Sequence, residues 1–411
     1  MDRTRRSIDR RSFLKNGLIG AAGLGALSAL PTSLKGQSQV FKEPQGAAKK
    51  AGFIYRKLGK TGVTLPIVSF GVMNTDNETL IRSSLDAGLA YLDTAHGYMR
   101  GRNEEQIGKV LQGRPRDSYF IATKVPGEPV DNRTRRFSAE TKAEPFLQKF
   151  DLSLKRLGLE YVDILYIHNV IYRDSVLFES LMKALETAKK SGRARFVGVS
   201  THSNEHEVIR AAIESKFYDV VLSGYNFAKT NIVELDKAIA EAAQAGLGIV
   251  AMKTLAGGFF DRERQQPVPA KAALKWALNN PNITSAIPGM TSLDQLETNL
   301  QVVKDIKLTD DERKSLRLKP EIGGLYCQGC NTCLDQCPKD LPVPGLMRSY
   351  MYAYGYRNLG AAYDLVASLG VSTDPCGNCG SCPVKCAMGF DVKSRTTDIA
   401  RIQAAPADLF A

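Results

Sequence analysis

The chain has 411 residues, of which 43% are hydrophobic, and it carries a formal net charge of +12 at pH 7. This length is long for one domain, so a leader followed by two folded units is the simplest expectation. The positive charge does not point to nucleic acid, because residues 1–36 hold seven Lys/Arg against two Asp/Glu and the remainder carries only +7.

Residues 1–36 resemble a twin-arginine export signal. Arg10 and Arg11 precede an uncharged run of small and apolar residues, 17–34. The alternatives are an amphipathic N-terminal helix or a membrane anchor, although the glycines and Pro31 disfavour a stable transmembrane helix. We therefore expect export through the twin-arginine machinery to the periplasm or another extracytoplasmic compartment, with cleavage and anchoring both open. Residues 37–53 lack periodicity and are predicted to be a linker.

From residue 54 to residue 318, short β-rich runs alternate with helical patterns. The predicted strands cover residues 68–71, 91–93, 120–124, 163–168, 196–200, 220–225, 249–253 and 285–288. Eight strands with intervening helices in about 250 residues indicate an α/β fold, a TIM (β/α)8 barrel, rather than an open sheet. A capping box formed by Thr309 and Glu312 predicts a short helix that ends the barrel region.

Polar side chains fall at or near the carboxyl ends of three successive predicted strands, where this fold places catalysis: Asp93, Tyr98, Lys124 and His168. Here the chain resembles the aldo/keto reductases, through Tyr-Leu-Asp-Thr-Ala at 91–95, Ala-Thr-Lys at 122–124 and Gly-Val-Ser at 198–200. The resemblance implies hydride transfer between a nicotinamide and a carbonyl or alcohol carbon, with Tyr98 moving the proton on oxygen.

The same resemblance assigns roles to the other three residues. Lys124 favours the phenolate of Tyr98, Asp93 orients Lys124, and His168 hydrogen-bonds the carbonyl oxygen. Taken singly, each has a structural explanation, such as an Asp93–Lys124 ion pair or a core imidazole at His168.

Nicotinamide contacts implied by the resemblance are less complete, and they fall on Ser200, Thr201, Met252, Leu255, Gly257, Gly289, Thr291, Gln295 and Asn299. Thr201 and Leu222 stand where the family usually has Asn and Gln, and Met252 replaces the stacking aromatic. Gly289 and Gln295 replace the Lys and Arg that meet a 2′-phosphate, so the preference between NAD and NADP stays open. Lys253 is either near the pyrophosphate or substrate, or a solvated lysine.

All eight cysteines follow residue 326, in two copies of Cys-x2-Cys-x2-Cys-x3-Cys. This is the ligand run of bacterial-type two-cluster proteins, in which the fourth cysteine of each array reaches the other cluster. The predicted ligand sets of the two [4Fe–4S] clusters are Cys327, Cys330, Cys333 and Cys386, and Cys376, Cys379, Cys382 and Cys337. Zinc ribbons would leave an extra thiolate at each metal, and disulfides between such close cysteines would be strained.

Residues 319–402 are predicted to form a small, mainly helical ferredoxin-like domain, because residues 345–369 show helical spacing. The tyrosines in this stretch are expected to pack around the clusters.

We therefore expect an exported oxidoreductase that interconverts a small carbonyl and an alcohol, with electrons relayed through the clusters to a redox partner protein. Any nicotinamide would be bound before export. The alternative is a non-catalytic iron–sulfur electron-transfer or interaction protein on a retained barrel. A third interpretation is that the clusters only stabilise the fold.

Overall fold

The computed structural model describes residues 49–261, 264–316, 325–377 and 379–410. The predicted export leader, most of the predicted linker and the predicted boundary at residues 318–319 lie outside those ranges. Within the described ranges, the helices are all too short or too polar to cross a bilayer.

A short antiparallel hairpin precedes eight parallel strands that follow chain order around a barrel. The strands are β1 (Tyr55–Lys57), β2 (Thr64–Pro66), β3 (Phe70–Gly71), β4 (Tyr91–Asp93), β5 (Phe120–Pro126), β6 (Val162–His168), β7 (Ala194–Thr201), β8 (Val220–Gly224), β9 (Gly248–Met252) and β10 (Ser285–Ala286). The barrel closes where Ser69 N donates to the Ala286 oxygen at 2.8 Å and Gly71 N to the Pro288 oxygen at 3.2 Å. The prediction of an eight-stranded α/β barrel is confirmed.

Helices cover the outside of the sheet, and their ends follow local sequence signals. They are α1 (Glu78–Ala87), α2 (Arg102–Leu111), α3 (Ala143–Leu157), α4 (Arg173–Val176), α5 (Glu179–Lys190), α6 (Glu205–Ser215), α7 (Ile232–Ala245), α8 (Ala270–Leu278), α9 (Leu293–Val302) and α10 (Asp310–Ser315). Asn77 begins α1 by accepting from Leu80 N, and Gly88 ends it with φ 101°. The predicted capping box of Thr309 and Glu312 begins α10.

The barrel region has two apolar layers. Because these layers and the β1–β2 hairpin fill the rest of the barrel, the end at which the strands finish is the one left open for chemistry. Between sheet and helices lie side chains such as Phe70, Ile121 and Phe150, and inside the barrel lie Tyr91 and Tyr166. The β1–β2 hairpin covers the amino-terminal end of the strands. At Gly59 a Cβ would lie 2.5 Å from the Gly246 oxygen, so the turn can approach the barrel only because it has no side chain.

Residues 325–377 and 379–410, called the C-terminal segment below, are mainly helical. They contain α11 (Val343–Tyr350), a π-helical turn (Met351–Gly355), α12 (Leu359–Leu369) and α13 (Val392–Ala400), in agreement with the helical pattern predicted for residues 345–369. The segment packs against the loops after the barrel strands, where Lys229 Nζ donates to the Gln328 oxygen at 2.8 Å and Asn358 Nδ2 to Asn74 Oδ1 at 3.1 Å. The open end of the barrel is therefore roofed by the C-terminal segment.

Candidate active site

Parallel strand register brings the four predicted catalytic residues to one place. Asp93 ends β4, Lys124 lies near the end of β5 and His168 ends β6, while Tyr98 lies in the turn after β4. Lys124 Nζ donates to Asp93 Oδ1 at 2.5 Å and lies 3.4 Å from Tyr98 Oη. The rings of Tyr98 and His168 are 6.0 Å apart between centroids and nearly perpendicular.

The ion pair beneath Tyr98 is buried, with Asp93 2% and Lys124 1% exposed. The Thr94 carbonyl oxygen accepts a further bond from Lys124 Nζ at 2.6 Å, and Tyr91 Oη donates to Asp93 Oδ2 at 3.3 Å. Burial lowers the pKa of Lys124, and the Asp93 carboxylate opposes that shift. These hydrogen bonds fix the orientation of the Lys124 ammonium group, which faces the phenol of Tyr98.

Two neutral acid–base groups face the open end of the barrel. Burial, followed by the charge of Asp93 and the neighbouring Tyr352, raises the pKa of Tyr98 well above its ordinary value. Burial, followed by the charges of Lys124 and Arg348, lowers the pKa of His168 to about 3. The expected role of Lys124, to favour the phenolate of Tyr98, stays a prediction, and its ammonium lies 3.4 Å from the phenol oxygen. At neutral pH the site holds a phenol and an uncharged imidazole.

A cavity of about 610 Å³ opens above Tyr98 and His168. Its barrel wall includes Arg135 from the loop before α3, and the C-terminal segment contributes other lining residues: Arg348, Tyr352 and Tyr356. Tyr352 and Tyr356 were expected to pack around iron–sulfur clusters; the structure places both at this cavity, and Tyr356 also lies beside the predicted cluster ligand Cys327. Helical spacing showed that this stretch is a helix, but it carried no information on which element the helix packs against.

A second cavity, of about 440 Å³, adjoins the first at Tyr98 and Tyr352. Several predicted nicotinamide contacts line it: Met252, Leu255, Gly257, Gly289, Thr291 and Gln295. Lys253 and Arg264 line it too, and the Arg264 guanidinium supplies positive charge suited to phosphate, whereas burial lowers the pKa of Lys253 well below its ordinary value. These residues fit a nicotinamide nucleotide, and Lys253 belongs to this cavity rather than to the open surface.

The other predicted nicotinamide contacts do not line either cavity. Ser200 Oγ accepts from Asn169 N at 2.9 Å, and Thr201 Oγ1 donates to the Ser203 oxygen at 2.7 Å. Asn299 is buried on α9. Gln295 Oε1 accepts from Thr291 N at 2.8 Å, so its side chain is held within the turn before α9.

All eight cysteines are free thiols, and the first predicted ligand set lies close together. Burial and the neighbouring thiols of Cys327, Cys330 and Cys386 raise the pKa of Cys333 to about 12. Gly329 N donates to Cys327 Sγ and Met388 N to Cys386 Sγ, both at 3.4 Å, as backbone amides do around cluster sulfurs.

For the second predicted ligand set, the contacts show less clearly that the four side chains lie together; this set is Cys376, Cys379, Cys382 and Cys337. Cys337 and Cys382 pack against the same apolar group, and Cys376 Sγ lies 3.4 Å from Thr396 Oγ1. In the part of the chain that the structure describes, no group of three or more His, Cys, Asp or Glu side chains is arranged to hold a metal ion. The donor chemistry fits iron–sulfur clusters, and the two ligand sets stay a prediction.

The similarity of this chain to known proteins covers the barrel region. The family model described as the aldo/keto reductase family matches residues 69–271 and 262–319, ending before the first cysteine. An L-glyceraldehyde 3-phosphate reductase from Escherichia coli O157:H7 is 26% identical over 321 residues, covering 63% of this chain and 90% of that protein. An L-galactose dehydrogenase from Arabidopsis thaliana is 26% identical over 301 residues, covering 64% and 91%. The holo form of an aldo-keto reductase from Bacillus halodurans shares the fold, with a TM-score of 0.53, 24% identity, and 64% and 95% coverage.

Proposed function

This chain belongs to the aldo/keto reductase family and is an oxidoreductase, and from that premise we propose that it reduces the carbonyl of a small substrate in the cavity above Tyr98. The observation that carries the proposal is the position of Tyr98 Oη, 3.4 Å from the Lys124 ammonium at the floor of that cavity. The names of the relatives, a reductase and a dehydrogenase, favour a small carbonyl or alcohol substrate.

In the direction of reduction, the phenol of Tyr98 acts as the acid. A bound nicotinamide would supply the hydride to the carbonyl carbon. Because the pKa of Tyr98 is raised, the phenol holds a proton at neutral pH and can give it to the carbonyl oxygen. The Lys124 ammonium, held by Asp93, stabilises the phenolate that forms. The phenolate then regains a proton from solvent.

His168 has a separate role in this proposal. Its imidazole is neutral at neutral pH because burial lowers its pKa to about 3. A neutral ring donates one hydrogen bond from N–H, which suits binding of the carbonyl oxygen between His168 and Tyr98. The imidazole therefore orients the substrate and does not compete with the phenol as acid.

Replacement of Tyr98 tests this proposal. Tyr98→Phe is expected to lower kcat for carbonyl reduction by about 100-fold to 10,000-fold, since it removes only the proton donor. Tyr119→Phe is the matched control, because Tyr119 directly precedes the amino-terminal end of β5, at the opposite end of the barrel from the phenol. Unchanged turnover in Tyr98→Phe, with folding intact, favours the non-catalytic protein on a retained barrel.

A second function, electron relay through two [4Fe–4S] clusters, has support from the position of Cys327. A small cavity is lined by Cys327, His202, Lys253 and Tyr356, and His202 and Tyr356 line both larger cavities as well. The first cysteine set is thus next to the proposed reaction site. A cluster there would exchange single electrons with a partner protein.

Anaerobic purification tests the relay, with iron, sulfide and nucleotide quantified together. About eight iron atoms per chain are expected for two cubane clusters, together with a reversible redox signal that responds to substrate. Bound iron without a redox response to substrate indicates that the clusters only stabilise the fold. Absence of iron contradicts the cluster proposal. Export in the folded state remains part of the proposal, and bound nucleotide in exported protein checks it.

A further inference from the structure

We propose that the cavity above Tyr98 takes a small aldehyde or ketone that also bears an anionic group, a carboxylate or a phosphate, and that Arg135 and Arg348 hold this group. The inference rests on the proposed carbonyl reduction and adds the chemical class of the substrate. Arg135 comes from the loop between β5 and α3 and Arg348 from α11, and both side chains line the cavity that Tyr98 and His168 share.

Arg348 enters the cavity wall without an acidic partner. Its Nη1 donates to Asn169 Oδ1 at 2.8 Å and its Nη2 to Ser203 Oγ at 3.2 Å, and both acceptors are neutral. Among the described residues it forms no salt bridge. Asn169 has φ 61°, a left-handed backbone directly after β6. The guanidinium is therefore oriented by two hydrogen bonds and keeps its full charge toward the cavity.

Arg135 likewise forms no direct ion pair with the acids of its own loop, although the charges of Glu128 and Asp131 partly oppose the lowering of its pKa. Glu128 pairs with Lys149. Asp131 Oδ1 accepts from Thr134 N at 2.6 Å and from Thr134 Oγ1 at 2.7 Å. Burial, followed by the charge of Arg348, lowers the pKa of Arg135, so the two guanidinium groups are near enough to repel each other. Over the described ranges Arg135, too, has no salt bridge.

Arg102 and Arg357 also line the cavity without a salt bridge among the described residues, but both are exposed to solvent, whereas Arg135 and Arg348 are partly buried. The neighbouring ion pairs are Arg100–Asp364, Arg133–Asp335 and Arg136–Asp174. Two partly buried guanidinium groups that face one cavity without a carboxylate paired to either of them are costly, since each loses hydration and each repels the other. A planar carboxylate or a phosphate can accept two N–H bonds from a guanidinium and removes that cost.

The placement also sets the substrate's orientation. The carbonyl oxygen would meet Tyr98 and His168 at the floor of the cavity, and the anionic group would meet the arginines at its wall. Because Arg348 belongs to the C-terminal segment, the segment would contribute directly to substrate selection. Arg348 is also near enough to Cys327 to lower the pKa of its thiol, so Arg135 gives the cleaner test.

The test compares paired substrates with and without the anionic group. Succinic semialdehyde is paired with its methyl ester, and glyceraldehyde 3-phosphate with glyceraldehyde, so that the two pairs distinguish carboxylate from phosphate. Wild-type kcat/KM is expected to be at least about tenfold higher for the anionic member of one pair. Arg135→Gln should lower that value by about 10-fold to 100-fold, mainly through KM, without affecting the neutral member. Arg136→Gln, whose guanidinium pairs with Asp174, is the matched control and should change neither.

Equal kcat/KM for charged and neutral members of both pairs, or an equal loss for both in Arg135→Gln, would overturn the inference. If the wild type reduces neither pair, calorimetric titration with succinate and with inorganic phosphate decides the matter separately. Binding that persists in Tyr98→Phe and Arg136→Gln but is lost in Arg135→Gln supports the anion site even though carbonyl reduction has failed. No binding in the wild type contradicts it. Arg348→Gln is the second variant, and Arg135→Gln carries the test if that protein does not fold.

Discussion

The barrel buries large apolar side chains such as Phe70, Phe146 and Phe150, each at most 2% exposed, between its sheet and its outer helices. In the C-terminal segment, by contrast, one of the two apolar groups is built around cysteine, with Cys333 packed against Val343 and Met347. A continuous apolar core stabilises a fold by burial alone, whereas a small loop-rich region depends on cross-links or metal. The comparison indicates that the two regions have different sources of stability.

The two regions also contribute different parts of the site. The barrel supplies the residues that act on the carbonyl, Asp93, Tyr98, Lys124 and His168, from strand ends whose register is fixed by the sheet. The C-terminal segment supplies the roof, including Arg348. Loss of order in the segment should therefore open the cavity without rearranging the residues at its floor.

The largest expected effect separates the two sources of stability. Cys333→Ser removes a predicted cluster ligand and should lower bound iron by about half and destabilise the C-terminal segment by several kcal/mol, because binding of a structural metal group is folding free energy. The barrel should keep its unfolding transition. Iron quantification and hydrogen exchange of the segment measure the two effects.

The matched barrel variant is Phe150→Ala, which removes a fully buried side chain on α3. It should lower the free energy of barrel unfolding by about 3–5 kcal/mol and leave bound iron unchanged. If Cys333→Ser retains full iron and unchanged protection, cluster ligation by that array is contradicted. If it unfolds the barrel as well, the two regions are one cooperative unit.

Lowering the pH should have an intermediate effect on stability. The loss of stability should occur in the barrel, because all four histidines of the chain precede the C-terminal segment. Burial lowers the pKa of His168 to about 3, whereas an unfolded histidine titrates near 6.5. Between those values the unfolded chain binds a proton that the folded chain does not, so stability is lost as pH falls below about 6.5 and is unaffected above it. At pH 5 the loss should be about 1–2 kcal/mol for this residue.

Urea unfolding at pH 7.5 and pH 5 measures that loss, and His168→Gln should reduce it. Burial also lowers the pKa of His96 to about 4, so part of the acid sensitivity should persist in the variant. An identical loss in wild type and His168→Gln contradicts the assignment of a neutral, buried imidazole. A loss of stability at low pH that is confined to the C-terminal segment contradicts the expectation that the acid sensitivity lies in the barrel.

The smallest effect is expected at the exposed ion pair between the regions. Arg100 and Asp364, with side chains 37% and 41% exposed, form a contact of 2.9 Å between the turn after β4 and α12. Arg100→Ala should change the free energy of unfolding by less than about 1 kcal/mol, and 0.5 M salt should remove most of that change. Thermal melting at low and high salt checks it. A change above about 2 kcal/mol means that this pair, rather than buried contacts, holds the segment on the barrel.

Much of the barrel could be predicted from the chain because its signals are local. The eight barrel strands are short segments of two to eight residues, most of them apolar, and β4 was predicted at its observed bounds. Asp93, Lys124 and His168 follow from strand ends, since parallel strands place their carboxyl ends at one edge. Burial of Tyr98, which raises the pKa of its phenol, is a property of the packed site that no motif specifies.

Residues of the cavity wall could not be predicted in the same way. Arg135 lies in a loop that shows no periodic pattern, and its charge is unpaired only because Glu128 and Asp131 turn to other partners. Tyr352 and Arg348 lie on helices whose spacing predicts a buried face without identifying what covers it. The roofing of the barrel by the C-terminal segment comes from contacts more than 100 residues apart along the chain, such as Arg348 with Asn169 and Ser203.

The amino-acid sequence alone determined the barrel, the grouping of Asp93, Tyr98, Lys124 and His168, and the paired cysteine arrays, because spacing along a strand or within a ligand run is a local property. Tertiary structure alone decided that the C-terminal segment covers the cavity above Tyr98, that burial raises the pKa of Tyr98, and that two arginines from different regions line that cavity. Those features depend on which surfaces exclude water and which charges lose their partners, and both are set only when the two regions pack together.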